Sequence, residues 1–207
     1  MTSILKVDSI QNAAGTAAMT IDSSGNISET NKEYFRVKLT SAQTGNTENA
    51  IAIVNFASNG TVVYDTLSNW DASTNSYQLG SSDGVYLIHF SLGITSPTTT
   101  TETLRDTASL VEFTSNNFSS LLDTPAFGFG SRYVDQDSAD YGAVTMSNSS
   151  VFKATATGIK IRLSGYANTD GSLTYTIAKD AQATTGSQTA TALVPADVTF
   201  LEVVRIA

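Results

Sequence analysis

The 207-residue sequence contains no cysteine and one histidine, and only 14% of its residues are charged. The missing cysteine excludes disulfide scaffolds, thiolate metal sites and cysteine nucleophiles. One histidine cannot supply the multiple-imidazole sites usual for catalytic zinc. Lys and Arg number 11 against 19 Asp and Glu, for a net charge of −8. The clustered cations that attract nucleic-acid phosphates are therefore missing. No stretch approaches the roughly 18 apolar residues of a membrane-spanning helix. Residues 1–11 lack the basic and apolar stretches of a secretory signal. Neither nucleic-acid binding nor membrane insertion is expected.

What fills the chain instead is 30 Thr and 26 Ser, about 27% of its residues. Polarity thus comes from hydroxyls and amides more than from ions. Thr, Val, Ile and the aromatics lose rotamer freedom in a helix but fit a pleated surface. With 41% hydrophobic residues, 8 Tyr and 9 Phe, disorder is a poor description. A chain of this length buries about 70% of its unfolded surface in one core without metals or bridges.

Apolar side chains recur with period two. In 85–92, Tyr86, Ile88, Phe90 and Leu92 share one face, and Val85, Leu87, His89 and Ser91 the other. Ile159, Ile161 and Leu163 alternate with Lys160 and Arg162, a strand with one core face and one wet face. Residues 51–56, 173–177 and 199–206 show the same pattern. Asn59-Gly60, Asp83-Gly84 and Asp170-Gly171 read as turns between strands. Short strands spaced by such turns predict an all-β, antiparallel sandwich.

Residues 1–33 differ. Ile4, Leu5, Val7, Ile10, Met19, Ile21 and Ile27 are too few to build a core alone, so this segment is expected to be docked or extended. The expected division is a segment over 1–33 and a head over 34–207.

The head carries a resemblance. Ile53-Val54-Asn55-Phe56, Val63-Tyr64-Asp65, Trp70-Asp71, Ser76-Tyr77 and Gly84-Val85-Tyr86-Leu87-Ile88-His89-Phe90 follow one another. With 144–152, Thr157-Gly158-Ile159-Lys160-Ile161 and Thr199-Phe200-Leu201-Glu202, this order resembles the tumour-necrosis-factor and complement-globular-head superfamily. That resemblance implies a jelly roll that usually trimerises, although Ile88 stands where an aromatic is often found and no collagen-like stem precedes the domain. Ile4-Leu5-Lys6-Val7-Asp8-Ser9-Ile10-Gln11-Asn12, then Gly15-Thr16 and 20–27, resembles a leader found on tail-fibre and structural proteins of marine bacteriophages. It implies a virion protein whose residues 1–33, through Ile4, Leu5, Val7, Ile10, Met19, Ile21 and Ile27, attach to other virion proteins.

A jelly roll's broad apolar face can be buried by three copies about a threefold axis. Tyr64, Tyr77, Tyr86, Phe90, Tyr133, Tyr166 and Phe200 are the candidates for that homotrimer interface, the alternative being ordinary core. His89 is expected as a packed or interface-facing strand residue, the alternative being a pH-sensitive trimer contact. Asp135, Asp137 and Asp140 alternate in the densest acidic cluster and suit calcium, or form a solvated loop. Otherwise no cofactor is expected. Trp70 and Tyr141 would stack on a sugar if exposed, while Trp70 also fits packing at a strand-to-loop junction. Gly128 and Gly130 form no phosphate loop and mark an apolar rim or a bulged strand.

No Gly-x-Ser-x-Gly elbow occurs and no carboxylate pair stands out, so no catalytic residue is assigned and a non-enzymatic protein is expected. The expected role is a short tail fibre or similar appendage at the particle surface, assembled in the host cytoplasm. Loops 96–103, 131–141 and 180–189 would touch a host polysaccharide or receptor. The alternatives are a capsid decoration protein that cements the head, and third a polysaccharide-degrading enzyme.

Overall fold

Alternation of apolar and polar side chains, with no run of helix formers, sets the architecture. The computed structural model describes residues 7–11, 13–15, 17–29, 32–95, 104–115, 118–119, 126–129, 143–169, 174–179 and 197–207. The three candidate host-contact loops lie outside these residues, as do Ile4, Leu5, Gly130, Tyr133, Asp135, Asp137, Asp140, Tyr141 and the Asp170-Gly171 turn.

In chain order the strands begin β1 (Ser9–Gln11), β2 (Ala17–Ile21), β3 (Ile27–Glu29), β4 (Tyr34–Leu39), β5 (Gln43–Thr47) and β6 (Ile51–Ile53). A single helical turn, α1 (Phe56–Asn59), precedes β7 (Gly60–Asp65), β8 (Trp70–Asp71), β9 (Ser76–Gln78) and β10 (Val85–Thr95). There follow β11 (Leu104–Thr114), β12 (Ala126–Phe129), β13 (Ala143–Lys153), β14 (Lys160–Thr169), β15 (Thr174–Ala178) and β16 (Phe200–Arg205).

The chain forms two compact units, Met1–Glu33 and Tyr34–Ala207. In the first, β1, β2 and β3 make a three-stranded antiparallel sheet. A segment expected to run extended or docked is therefore paired with itself. The turn chemistry explains why. Asp22 Oδ1 accepts from the backbone N–H groups of Ser24 (2.9 Å) and Asn26 (2.8 Å), and Gly25 supplies a φ of +82°.

The second unit is an antiparallel jelly roll of two sheets built on one plan. In the larger, β10 pairs with β13 from Val85↔Lys153 to Thr95↔Ala143, and its other edge is shared by β16 and β15. β4 then adds to β16, β7 to β4, and β5 to β15. In the smaller, β14 pairs with β11 along one edge and with β9 and β6 along the other. β12 extends β11, so Gly128 sits in a paired strand opposite Ser109.

Core positions are the inward halves of these alternations. Phe35, Val37 and Leu39 of β4, Tyr86, Ile88, Phe90, Leu92 and Ile94 of β10, and Ile161 and Leu163 of β14 are all buried. Each such side chain contributes about 1.5–3 kcal/mol relative to exposure. Phe35 stacks on Tyr77 with ring centroids 4.1 Å apart and on Trp70 at 5.5 Å, while Phe56 meets Trp70 edge-on at 6.5 Å. Trp70 is thus a packed residue at the start of a short strand.

Asn59-Gly60 is not a hairpin turn. Asn55 Oδ1 caps α1 by accepting from Ser58 N–H (3.1 Å), Asn59 ends it, and Gly60 opens β7. Glycine is required there for space: a Cβ would lie 2.6 Å from the Lys38 carbonyl oxygen and 2.8 Å from that of Phe56. Gly84 likewise lies against the Tyr86 ring, 2.7 Å from where its Cβ would stand.

Candidate interaction face

Successive side chains of a strand point to opposite faces, so residues between the core positions of β4, β10 and β16 face away from the core. Register lines them up across the larger sheet. One row is Val151, Leu87, Val204 and Tyr34. The next is Ser149, His89, Glu202, Arg36 and Tyr64. The third runs Ser147, Ser91, Phe200 and Lys38. Val151 is 62% exposed, Tyr64 51% and Leu87 36%. Ile206, just beyond β16, is also exposed. The sheet therefore carries apolar side chains on both faces.

Glu202 is the electrostatic centre of this face. Its carboxylate accepts a 2.7 Å hydrogen bond from the Tyr34 phenol and lies 3.5 Å from the Arg36 guanidinium. His89 Nδ1 is 4.0 Å away. The hydrogen bond to Glu202, followed by partial burial, raises the Tyr34 phenol above its ordinary pKa. Arg36 also lies over the Phe200 ring at 4.7 Å, and His89 meets the same ring edge-on at 5.0 Å. The Tyr34 and Tyr64 rings are 5.0 Å apart. The Glu202 charge is matched within the chain, which lowers the cost of covering it: paired, hydrogen-bonded charges lose less on desolvation than lone ones.

The candidate interface aromatics among the described residues separate cleanly. Tyr77 and Tyr86 are 0% exposed and Phe90 is 1%. All three are core residues of one chain, with no surface to offer a second copy, and this corrects their assignment to an interface. Tyr86 spends its hydroxyl locally, accepting from Ser81 N–H at 2.9 Å. Tyr64 and Phe200 do lie on the outward face. Tyr166 belongs to the smaller sheet, where it borders a groove of 390 Å³ with Ile51, Ala108 and Leu110, and its phenol donates to Asn49 Oδ1 at 3.1 Å. Sequence reasoning passed over Leu87, Val151, Val204, Arg36 and Glu202. The available signal was 85–92, where Val85 and Leu87 make the second face of the strand apolar as well.

Elsewhere, ion pairs tie strands together. Lys160 Nζ meets Asp71 Oδ2 at 2.9 Å, and this hydrogen bond holds the Asp71 carboxyl well below the usual carboxylate range. Arg162 pairs with Glu112 directly across β14 and β11 and stacks over Phe118 at 3.9 Å. Among the described residues no group of three His, Asp or Glu side chains is placed to hold a metal. In the N-terminal unit Val7, Ile10 and Ile27 are exposed and Met19 and Ile21 half-buried.

No protein-family model matches the sequence, and no curated protein does. Solved structures do. The tumour-necrosis-factor domain of Eiger from S. frugiperda superposes with a TM-score of 0.52 at 9% identity, over 85% of this chain and 93% of that one. Murine APRIL gives 0.47 at 12% identity, covering 84% and 99%, and the globular domain of zebrafish complement 1qA gives 0.39 at 13%, covering 84% and 94%. The Eiger likeness is one of fold: an antiparallel jelly roll.

Proposed function

We propose that this chain is a trimeric, non-enzymatic binding protein on the surface of a bacteriophage particle. The head would self-associate through the outward face of the larger sheet, and residues 1–33 would join it to other virion proteins. One observation carries the self-association: Val151, Leu87 and Val204 form an apolar row across three neighbouring strands, beside a Glu202 charge already matched by Arg36. Such a face is costly to leave in water and inexpensive to cover. A closed threefold contact gathers this face of each copy about one axis and leaves no open end to propagate.

Placement on a phage particle rests on the N-terminal motif, and the proposed role is a short tail fibre or fibre-like appendage that contacts a host polysaccharide or receptor. No catalytic role is assigned to His89, which stands on an open sheet face beside Phe200 and Glu202. Light scattering on the full chain tests assembly: a threefold mass is expected, and a monomer at micromolar concentration overturns it. A reconstruction of the virion tests location. Density at the tail in few copies is expected, whereas many copies on the head would make it a decoration protein.

A further inference from the structure

His89 is the chain's only histidine. It lies on the outward face of the larger sheet, between Ser149 of β13 and Glu202 of β16 in the register. Its Nδ1 is 4.0 Å from the Glu202 carboxylate, and its ring meets Phe200 edge-on at 5.0 Å. The side chain is 40% exposed in the single chain, so a proton reaches it from water. Histidine is the side chain whose ordinary titration falls between pH 5 and 8. In this chain that change of charge is confined to one position.

Each neighbouring strand brings its own groups to this side. β13 contributes Ser149 and, opposite Val85 at its end, Lys153. β16 contributes Glu202, β4 contributes Tyr34, Arg36 and Lys38, and β7 contributes Tyr64. Glu202 already accepts from the Tyr34 phenol at 2.7 Å and has Arg36 at 3.5 Å. Lys38 Nζ donates to Asp197 Oδ2 at 2.8 Å. Among the described residues of this face, no carboxylate is left without a cation. A proton on His89 therefore adds a second cation beside Glu202. It also adds one beside the Phe200 ring that Arg36 already covers.

We propose that His89 makes the self-association of the head pH-sensitive: copies join while its imidazole is neutral and separate when it is protonated. The inference rests on reading this face as the contact between copies. In the single chain the added charge stands in water and is screened by salt. In an assembled face it is covered without a counter-charge, once in each of three copies. Assembly thus favours the neutral imidazole. Association is then fully present above the range in which histidine titrates, and is lost as pH falls through it.

Light scattering on the full chain at about pH 7.5 and about pH 5.5 tests the device, with NMR of the single imidazole reading its charge in the same samples. The chain concentration at half-assembly should rise at least about tenfold at the lower pH. The imidazolium signal should grow only as the threefold mass disappears, and His89→Gln should give a concentration ratio near one. A half-assembly concentration that does not move between the two pH values overturns the device and leaves the trimer standing. So does a loss of mass while the imidazole stays neutral, or an equal loss in His89→Gln. A monomeric mass at the higher pH overturns the trimeric reading itself, and this inference with it.

Discussion

The phenol of Tyr34 and the carboxylate of Glu202, 168 residues apart in the chain, are joined by a 2.7 Å hydrogen bond on the outward face of the larger sheet. The bond links the first strand of the head to the last. β16 lies between β4 and β10, so Glu202 reaches Tyr34 and Arg36 on one side and faces His89 on the other. Charge matched in this way would lower the desolvation cost of the proposed contact at Glu202.

Replacing Leu87 or Val151 by Asp should separate assembly from folding. Each side chain is exposed in the single chain, so the melting temperature of the isolated head fold should change little. A buried, unpaired carboxylate at a contact is strongly unfavourable. The expected outcome is a monomer by light scattering and at least about a 100-fold weaker self-association, which corresponds to roughly 3 kcal/mol. Retained trimers in both variants would show that the contact lies elsewhere.

Tyr77 and Tyr64 should behave oppositely. Tyr77→Ala removes a ring stacked on Phe35 in the core and should cost about 3–5 kcal/mol in denaturant unfolding, in line with other large-to-small aromatic substitutions. Tyr64→Ser, at a 51% exposed position, should stay within about 1 kcal/mol. If the two costs were equal, the separation of core from face would be wrong.

Gly60→Ala should destabilise the head by about 1–3 kcal/mol, because the added methyl meets two backbone carbonyl oxygens rather than a movable side chain. The φ of −136° at Gly60 is open to any residue, so the effect is one of space. A neutral result in thermal unfolding would refute that account.

Alkaline pH should unfold the head progressively above pH 10. Burial pushes the Tyr175 phenol up to about 12, and it donates to the carbonyls of Gly165 (2.9 Å) and Ala50 (3.2 Å). Tyr34 is raised as well, by Glu202. A tyrosine whose folded pKa is raised contributes stability that is fully present below its unfolded value near 10. That stability is lost as pH climbs towards the folded value. Denaturant midpoints should therefore fall between pH 10 and 12, and Tyr175→Phe should flatten the fall while lowering stability near neutrality by about 1–2 kcal/mol through its lost hydrogen bonds. A midpoint that does not move from pH 9 to 11.5 would contradict the burial argument.

Much of the fold was legible because a strand announces itself locally. Period-two alternation placed Tyr86, Ile88, Phe90 and Leu92 on one face, and all four are core. The same rule separated Ile161 and Leu163 from Lys160 and Arg162. Asn59-Gly60 was misread because the dipeptide favours a turn, whereas here Asn55 caps a helical turn and Gly60 leaves room for the Lys38 carbonyl of the paired strand β4. The candidate face was only partly legible. Aromatic identity marks a side chain as large, but not which side of the wall it stands on. That is why Tyr77, Tyr86 and Phe90 proved internal while Leu87 and Val151 went unnoticed.

By itself the sequence determined the class of fold, the division of labour between apolar and hydroxyl-bearing faces, and the exclusion of disulfide chemistry. Composition and nearest-neighbour alternation act residue by residue, so these properties need no knowledge of what lies opposite. Only the tertiary structure decided that Val151, Leu87 and Val204 form one row and that Glu202 gathers Tyr34, Arg36 and His89. Those relations depend on strand order and register, which are set by long-range pairing between distant segments, and a shift of one residue would send every side chain to the other face.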